Sequence, residues 1–439
     1  MNIILLSGGS GTRLWPLSNA VRSKQFLKIF KTETGSESMA QRIYRMIRSV
    51  DADAGITIAT SQDQVAQIKT QLGEKVSLSV EPCRRDTFPA IVLACAFLAQ
   101  NGLAGEEPVV VCPIDPLVDE GYFRCLKTMS DAAADGETNI TLMGIQPDCP
   151  SEKYGYILTD GDRVSGFREK PDENTAKEYI RTGALWNGGV FAFRLDYVLG
   201  IAREMFGTSD YQELLQKYDT LEKISFDYAV VEKESRIGLV KYCGQWRDLG
   251  TWNDLTQVMA DPVRGNAVLA ESDNTHVINE LNIPLLVLGV HDAVVAATPD
   301  GILVADKEVS AKLKNYVSSP KRAMYERRQW GEYKVLDCSI QSDGNSSLTK
   351  HLILTEGQHI SYQIHSHRTE MWTVTDGEGL LILDGKKRGM VRGDSVTINA
   401  GMKHGIKAIK ELHIIEVQIG DELTEEDIVR LDYDWTNCE

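Results

Sequence analysis

Short apolar runs alternate with helical patterns from the N-terminus to about residue 261, and this alternation restricts the fold more than any other feature. Asn2–Ser7 is apolar and unbroken, as expected of a strand covered on both faces. Gly55–Thr60, Val76–Val80 and Pro108–Cys112 have the same character, and helical spacing lies between them, at Ser38–Val50, Gln62–Leu72 and Pro89–Gln100. This order predicts an α/β domain with a parallel sheet. Because ligands of such sheets bind beyond the carboxyl ends of the strands, the residues after the first, third and fourth strands should meet at one crevice.

The pattern becomes β-rich beyond residue 261. Gly265–Val317 contains short β-branched runs broken by Gly, Asn and Asp, which predicts a small β-rich connecting domain. Residues 318–328 are polar and basic and make a plausible linker. From Trp330 onward strands and turns predict a small barrel or sandwich. We therefore expect three domains, at 1–262, 263–322 and 323–439, in agreement with the length of 439 residues.

Composition narrows the class of function. The formal net charge of −16 disfavours a nucleic-acid surface, which needs a basic stripe. No stretch is long and apolar enough to cross a membrane, and the N-terminal apolar run lacks a basic leader and a cleavage site. The eight cysteines are scattered without a CxxC pair, which favours a reducing, cytoplasmic setting. Any phosphate site must therefore be built locally, from backbone N–H groups and a few placed cations.

A glycine-rich segment follows the first strand directly and is a candidate phosphate cradle. Its glycines let backbone N–H groups approach an anion, and Arg13 adds a fixed positive charge. The segment matches neither the Walker motif nor the GxGxxG motif, and the alternative interpretation is that it forms only a flexible turn. Lys24 lies shortly after it and could place an ammonium over a triphosphate. The candidate nucleotide contacts of this segment are Leu6, Gly8, Gly9, Gly11, Thr12 and Arg13.

Together, the runs GGSGTRLWPLS and SKQF resemble the signature of the mannose-1-phosphate guanylyltransferases, and the resemblance extends along most of the chain. It implies a Rossmann-like nucleotidyltransferase domain that joins GTP to mannose 1-phosphate with Mg²⁺. Glu81-Pro-Cys-Arg-Arg85-Asp86-Thr resembles the family's segment beside the base and phosphates, although Asp86 stands where the family has Asn. Asp86 could instead simply cap the helix that follows.

Two aspartates match the family's metal ligands. Asp115 ends the fourth strand, where the family carries Asp-His, and Asp248 lies in a run resembling Trp-x-Asp-x-Gly-Ser/Thr-Trp. Carboxylates from distant chain positions that meet at a triphosphate suit Mg²⁺. With Arg13 and Lys24 they form the predicted catalytic set. An aspartate that only shapes a turn is the alternative for each.

The candidate sugar contacts come from segments between these aspartates. The resemblance implies that Gly155 and Gly188 allow close approach of a ligand and that side chains bind the sugar hydroxyls and phosphate. The same segments could be merely a charged turn and a hairpin. The predicted substrate-binding residues are Gly155, Glu169, Lys170, Asn187, Gly188 and Asp227.

The C-terminal part contains a cluster of candidate metal ligands. Because alternate residues of a strand point to one side, Gln363, His365 and His367 should share a face, and Glu370 and His404 complete an N and O set suited to Zn²⁺ or another divalent ion. The pattern resembles the cupin motifs and the type II phosphomannose isomerase domain often fused to this guanylyltransferase. Two positions depart from the family, with Met371 in place of His and Asn399 in place of Pro, and Arg430 is the candidate catalytic cation of an isomerase.

Several functions remain open at this point. The first is transfer of GMP from GTP to mannose 1-phosphate, for synthesis of cell-surface glycans. Alternatives are a bifunctional enzyme that also interconverts mannose 6-phosphate and fructose 6-phosphate, a nucleotidyltransferase for another hexose 1-phosphate, and a nucleotide-sugar sensor without catalysis. The sequence leaves the oligomeric state open, with a homodimer as one candidate.

Overall fold

The computed structural model describes residues 1–8, 12–19, 22–33, 35–161, 163–317, 323–340, 344–424 and 427–435. Contacts within the chain define two compact units. The first consists of Met1–Leu14, Ser18–Pro262 and Asp306–Tyr316, and the second of Trp15–Leu17, Val263–Ala305 and Val317–Glu439. The boundaries of the three expected domains stay a prediction, and residues 318–322 of the expected linker lie outside the described residues.

The first unit contains both strands and helices. Its strands are β1 (Asn2–Ser7), β2 (Lys28–Thr32), β3 (Gly35–Ser38), β4 (Gly55–Ser61), β5 (Ser77–Glu81), β6 (Pro108–Pro113), β7 (Pro116–Val118), β8 (Ile140–Ile145), β9 (Gly155–Asp160), β10 (Arg163–Arg168), β11 (Leu185–Arg194), β12 (Ile237–Tyr242) and β13 (Trp246–Asp248). Its α-helices are α1 (Met39–Val50), α2 (Val65–Leu72), α3 (Thr87–Gln100), α4 (Glu120–Asp135), α5 (Glu173–Arg181), α6 (Leu195–Phe206), α7 (Tyr211–Gln216), α8 (Phe226–Ala229) and α9 (Trp252–Val258).

A nine-stranded sheet organises this unit. Its main path runs β10-β9-β11-β6-β1-β4-β5, and β8 joins β11 to β12. The strands predicted from the sequence pair in parallel, since β1 lies between β4 and β6 and β4 pairs with β5. In contrast, β11 runs antiparallel to β6, β8 and β9, so the sheet is mixed. The expected α/β class is confirmed, and parallel pairing joins β1, β4, β5 and β6 and also β12 to β8.

Apolar side chains cover both faces of the sheet. Ile3 and Leu5 contribute to one buried cluster with α1 and α4, whereas Ile4 on the opposite face joins a second cluster with α3 and α6. Successive strand residues point to opposite faces, so an unbroken apolar β1 fits between two helical layers. Ser38 begins α1 with a capping box, in which its hydroxyl accepts from the Gln41 backbone and the Gln41 side chain accepts from the Ser38 backbone.

The second unit is built from strands. Its first part contains β14 (Val263–Gly265), β15 (Ala267–Ala270), β16 (His276–Asn279), β17 (Leu285–Leu288), β18 (Ala293–Thr298) and β19 (Gly301–Asp306). Parallel pairing of β14 with β16, β16 with β18 and β15 with β17 encloses a small apolar cluster that includes Val277, Val287 and Val295.

Two antiparallel sheets form the rest of the second unit. Their strands are β20 (Tyr325–Arg328), β21 (Gly331–Ile340), β22 (Ser346–Leu354), β23 (His359–Ile364), β24 (Arg368–Asp376), β25 (Glu378–Leu383), β26 (Lys386–Val391), β27 (Ser395–Ile398), β28 (His404–Ala408), β29 (Leu412–Gly420) and β30 (Val429–Arg430). The strand orders are β20-β21-β22-β29-β24-β27 and β26-β25-β28-β23-β30. Trp372, Leu381 and Ile406 are fully buried in a shared core, which is the barrel architecture expected from the sequence.

Candidate active site

A cavity of about 300 Å³ lies at the carboxyl ends of the parallel strands. Ser7, the last residue of β1, and Gly8 line it, as do Glu81 at the end of β5 and Asp115 after β6. The expectation that these strand ends meet at one crevice is confirmed. Ser61, at the end of β4, lines the same cavity, although the sequence had not singled out that strand end.

Lys24 links the two predicted metal ligands. Its ammonium Nζ lies 2.8 Å from Asp115 Oδ2 and 3.0 Å from Asp248 Oδ1. The meeting follows from a short ladder, because β13 pairs antiparallel with β7 and places Asp248 opposite Pro116, the residue after Asp115. Burial opposes the charge of the ammonium, but the two carboxylates outweigh it and raise the pKa of Lys24. The lysine therefore stays charged at neutral pH.

A buried network of hydrogen bonds fixes the turn that carries Lys24. Gln64 Nε2 donates to Ser23 Oγ at 2.9 Å, and Gln64 Oε1 accepts from Ser7 Oγ at 2.8 Å and from Thr60 Oγ1 at 3.1 Å. Gln25 Nε2 donates to the Ser7 hydroxyl at 3.1 Å. Gln64 thus ties the residues on either side of Lys24 to the ends of β1 and β4. We refer to Ser7, Ser23, Gln25, Thr60 and Gln64 as the glutamine network.

The glycine-rich segment is described only in part. Leu6 and Gly8 line the cavity, whereas Gly9 and Gly11 lie outside the described residues. The backbone of Thr12 begins a short 3₁₀ turn, Thr12–Leu14, in which Arg13 is exposed. A Cβ added at Gly8 would meet no atom of the described residues within 4 Å. The role of Gly8 as a phosphate contact stays a prediction.

The segment after β5 contributes to the same cavity. Asp86 caps α3, since its Oδ1 accepts from the Thr87 backbone N–H at 2.8 Å, and it also lines the cavity. Its positive φ of 69° is strained for a residue with a side chain. Glu81 lines the cavity as well and accepts from the Tyr218 hydroxyl at 2.9 Å. Burial raises the pKa of Glu81, against the lowering effect of that hydrogen bond.

The second arginine of this segment is placed differently from the prediction. Arg84 lines the cavity, but Arg85 is not among the lining residues. Arg85 Nε is buried without a hydrogen-bond partner among the described residues. The nucleotide contact predicted for Arg85 stays a prediction, and Arg84 is the arginine of this segment that lines the cavity.

The predicted sugar contacts meet around one carboxylate. Asn187 Nδ2 donates to Asp227 Oδ1 at 2.6 Å, and Asn187 pairs with Gly155 across β11 and β9. A Cβ at Gly155 would lie 2.5 Å from Glu169 Oε2, so glycine is required for that carboxylate to approach. Burial and the charge of Glu169 raise the pKa of Asp227 to about 6. We refer to Gly155, Glu169, Lys170, Asn187, Gly188 and Asp227 as the sugar group.

The remaining members of the sugar group fit the same arrangement. Lys170 Nζ lies 2.5 Å from Glu169 Oε1, and its backbone has a positive φ of 44°. A Cβ at Gly188 would lie 2.4 Å from the Ile145 side chain, so this glycine is required by packing. The structure thus brings all six predicted residues of the sugar group into one neighbourhood, while their contacts with a substrate stay a prediction.

Three aromatic rings lie beside the sugar group. Tyr154 is 4.9 Å from Trp186 and 5.2 Å from Trp246, between ring centroids. Trp186 precedes Asn187, and Trp246 begins the strand that ends at Asp248. This aromatic cluster therefore connects the strand of the sugar group with the strand that carries one of the two aspartates.

The barrel holds a separate polar cluster. His365 Nε2 lies 3.1 Å from Glu370 Oε1, and His404 Nε2 lies 3.5 Å from Glu370 Oε2. These three residues are buried, and their ligand atoms all lie within 4.8 Å of one another. Gln363 Nε2 is 3.3 Å from His365 Nε2. Two imidazoles and a carboxylate are a suitable donor set for a divalent metal ion. We refer to these four residues as the barrel cluster.

Comparison with known proteins identifies both parts of the chain. Residues 2–264 match the family described as Nucleotidyl transferase, and residues 318–433 match the one described as Mannose-6-phosphate isomerase C-terminal. The chain belongs to the nucleotidyltransferase family. The resemblance to mannose-1-phosphate guanylyltransferases with a fused isomerase-like domain is confirmed. Among the described residues, no helix is long and apolar enough to cross a membrane.

Relatives match nearly the whole chain. The Xanthan biosynthesis protein XanB of Xanthomonas campestris is 32% identical, over 98% of this chain and 97% of its own length. A Mannose-1-phosphate guanylyltransferase of Escherichia coli is 29% identical, over 97% of both chains. A crystal structure from Thermus thermophilus, described as a mannose-1-phosphate geranyltransferase, is 32% identical with a TM-score of 0.60, and covers 72% of this chain and 97% of that one.

One residue predicted as a metal ligand in the barrel of this nucleotidyltransferase lies outside its cluster. His367 is exposed, and its Nδ1 lies 3.3 Å from Asp421 Oδ1. The reason is that β23 ends at Ile364, so the alternation that would place His365 and His367 on one face does not continue. Arg430, the candidate catalytic cation, pairs with Gln363 across β30 and β23 and is exposed, and its role stays a prediction. His367 is therefore not a member of the barrel cluster.

Sequence reasoning missed the residues that surround Glu370. Its carboxylate accepts from Arg368 Nε at 3.0 Å, Trp372 Nε1 at 3.1 Å and Gln418 Nε2 at 3.2 Å. Burial alone would raise the pKa of Glu370, but hydrogen bonds from the two histidines lower it. Burial and the charge of Glu370 raise the pKa of the neighbouring Glu416 to about 7. These residues could have been predicted from the period-2 pattern of β24 and β29, in which alternate residues point inward.

Proposed function

We propose that this nucleotidyltransferase transfers GMP from GTP to mannose 1-phosphate, giving GDP-mannose and pyrophosphate for the synthesis of cell-surface glycans in the cytoplasm. The observation that carries the proposal is that Lys24 contacts both Asp248 and Asp115, and Asp115 lines the cavity beyond the parallel strands. The relative from Escherichia coli that bears the name of this activity matches 97% of the chain, which supports the choice of substrates.

The chemistry needs no nucleophile from the protein. A phosphate oxygen of the sugar phosphate attacks the α-phosphorus of GTP, and the bond from that phosphorus to the bridging oxygen of pyrophosphate breaks. The chain supplies backbone N–H donors at the end of β1, the positive charge of Lys24, and positioning of both substrates. Asp115 and Asp248 would hold Mg²⁺, which suits hard carboxylate oxygens and, when bound, offsets charge on the phosphates.

The sugar group supplies the second half of the site. The carboxylates of Glu169 and Asp227 are acceptors for sugar hydroxyls, and the Asn187 amide orients Asp227 through a 2.6 Å hydrogen bond. Lys170, next to Glu169, is the candidate cation for the phosphate of the sugar. Carboxylate acceptors held in place before the substrate arrives lower the entropic cost of binding a polyhydroxyl ligand.

A substrate panel tests this proposal. The natural chain is incubated with each of four nucleoside triphosphates and several hexose 1-phosphates in Mg²⁺, and release of pyrophosphate is measured. We expect the highest kcat/KM with GTP and mannose 1-phosphate. Asp248→Asn should lower kcat at least about 10²-fold, whereas Asp261→Asn, at an exposed aspartate whose Oδ2 is 3.8 Å from Lys31 Nζ, should not. Another preferred pair would replace the substrate assignment, and no turnover with any pair would favour the sensor.

The barrel cluster supports a second activity, isomerisation of mannose 6-phosphate and fructose 6-phosphate. Two observations favour this candidate. Residues 318–433 match the isomerase C-terminal family, and the barrel buries His365, Glu370 and His404 together. The cluster would hold Zn²⁺ or another divalent ion. A coupled assay with mannose 6-phosphate and added Zn²⁺ or Co²⁺ tests it, and turnover that disappears in Glu370→Gln would support it. No turnover would leave the barrel with a structural or regulatory role. Assembly as a homodimer stays a prediction.

A further inference from the structure

The ammonium of Lys24 occupies the position between the two carboxylates that would bind a metal ion. One nitrogen atom contacts Asp115 Oδ2 at 2.8 Å and Asp248 Oδ1 at 3.0 Å. The same nitrogen lies 3.5 Å from the carbonyl oxygen of Leu249. A Mg²⁺ ion bound by both carboxylates would need their oxygen atoms at about 2.0–2.1 Å from the metal. An ammonium and a divalent cation cannot share this space.

We propose that Lys24 is an internal counter-cation, which keeps Asp115 and Asp248 closed to free divalent cations until a nucleoside triphosphate binds and draws the ammonium away. The inference rests on the proposed function, because that function supplies the triphosphate. Its consequence is an order of events. The two aspartates become metal ligands only when the nucleotide is present, so the cation and the triphosphate bind together.

The structure separates the anchored part of Lys24 from its movable part. Ser23 and Gln25, on either side, are buried and bonded within the glutamine network. The Lys24 side chain, in contrast, is 21% exposed, and those of Asp115 and Asp248 are 31% and 30% exposed. The turn can therefore keep its place while the end of the side chain changes partner.

The cavity places a competing anion within reach of this ammonium. Asp115 lines the cavity together with Gly8 at the end of β1, where backbone N–H groups are predicted to bind phosphate. A triphosphate carries more negative charge than two carboxylates, and a lysine ammonium moves readily between anions because it is a compact charge on a flexible stem. Binding of the triphosphate therefore gives Lys24 a stronger partner and frees both carboxylates.

Binding of Mn²⁺ to the full-length chain tests the proposal, since this ion accepts the same oxygen ligands as Mg²⁺ and is counted directly by electron paramagnetic resonance. The titrations use a His365→Ala background, which removes a ligand of the barrel cluster. Without nucleotide, we expect no Mn²⁺ site that depends on Asp248. Lys24→Met should create one, because a repelling positive charge is gone. Nucleotide-free binding of Mn²⁺ by Lys24→Met should be at least about tenfold tighter than by the same chain with Lys24. Adding a non-hydrolysable GTP analogue should create the site in the chain that retains Lys24.

Asp248→Asn makes the test independent of whether Lys24→Met folds. In the chain with Lys24, this substitution should leave nucleotide-free Mn²⁺ binding unchanged and should weaken binding in the presence of the analogue. In the chain that retains Lys24, a nucleotide-free Mn²⁺ site that Asp248→Asn removes would overturn the proposal. Equal Mn²⁺ affinity with and without Lys24→Met, both in the His365→Ala background, would also overturn it. The substrate assignment is tested separately by release of pyrophosphate. A failed assignment with the expected Mn²⁺ pattern would leave the role of Lys24 standing.

Discussion

Replacing Gln64 with leucine should both destabilise the first unit and slow catalysis. Leucine fills much of the same space, but it leaves the buried hydroxyls of Ser7, Ser23 and Thr60 without the partners that Gln64 provides. A buried polar group without a partner costs about 1–3 kcal/mol. Allowing for partial pairing among the remaining groups, we expect the free energy of unfolding to fall by about 3 kcal/mol in total.

The kinetic effect follows from the turn that carries Lys24. A shift of about 1 Å in a positioning element costs roughly 10²-fold in rate, and Gln64 is bonded to the residue that precedes Lys24. Urea unfolding and release of pyrophosphate measure the two effects. Gln62→Leu is the matched control, because Gln62 lies in the same 3₁₀ turn but is exposed. If Gln64→Leu has the same free energy of unfolding and the same kcat as the unsubstituted chain, the role of the glutamine network is refuted.

Three further predictions concern the sugar group and the barrel. The pKa of Asp227 is raised from 3.8 to about 6, so its contribution to folding stability is present below pH 4 and is lost as the pH rises through 6. Asp227→Asn should therefore raise the free energy of unfolding by roughly 3 kcal/mol at pH 8, and by progressively less toward pH 5, in urea titrations. A difference that stays constant with pH would contradict this. Gly155→Ala places a Cβ 2.5 Å from a carboxylate oxygen of the sugar group and should raise KM for the sugar phosphate at least about tenfold, whereas Gly166→Ala, with 3.6 Å to its nearest neighbour, should not. His365→Ala should abolish binding of Zn²⁺ by the barrel in calorimetry and His367→Ala should retain it; equal loss in both would restore His367 as a ligand.

The sequence predicted the parallel half of the sheet and the meeting of its strand ends. Asn2–Ser7 and Pro108–Cys112 were recognisable because strands buried on both faces are uniformly apolar. Asp115 and Asp248, far apart in the chain, were paired only through a resemblance to known motifs. The ladder between β7 and β13 that brings them together is three residues long, too short to give a periodic signal.

The rest of the site depends on tertiary contacts that spacing does not reveal. Gln64 follows a strand whose end was not considered, and it lies in a polar segment predicted to be helical. Nothing in that pattern marked its side chain, which is fully buried. His367 was assigned by strand alternation, which fails once β23 ends at Ile364. The antiparallel direction of β11 could not be predicted, because a strand buried on both faces is uniformly apolar whichever direction its neighbours run.

Locating the divalent cation in the complex tests the central claim most directly. Crystals grown with Mn²⁺ and a non-hydrolysable GTP analogue would show the ion through its anomalous scattering. We predict a peak in contact with both Asp115 and Asp248, with Lys24 turned from these carboxylates to the triphosphate. A peak that contacts neither aspartate, or a nucleotide bound away from the cavity at the carboxyl ends of β1, β4, β5 and β6, would contradict the account.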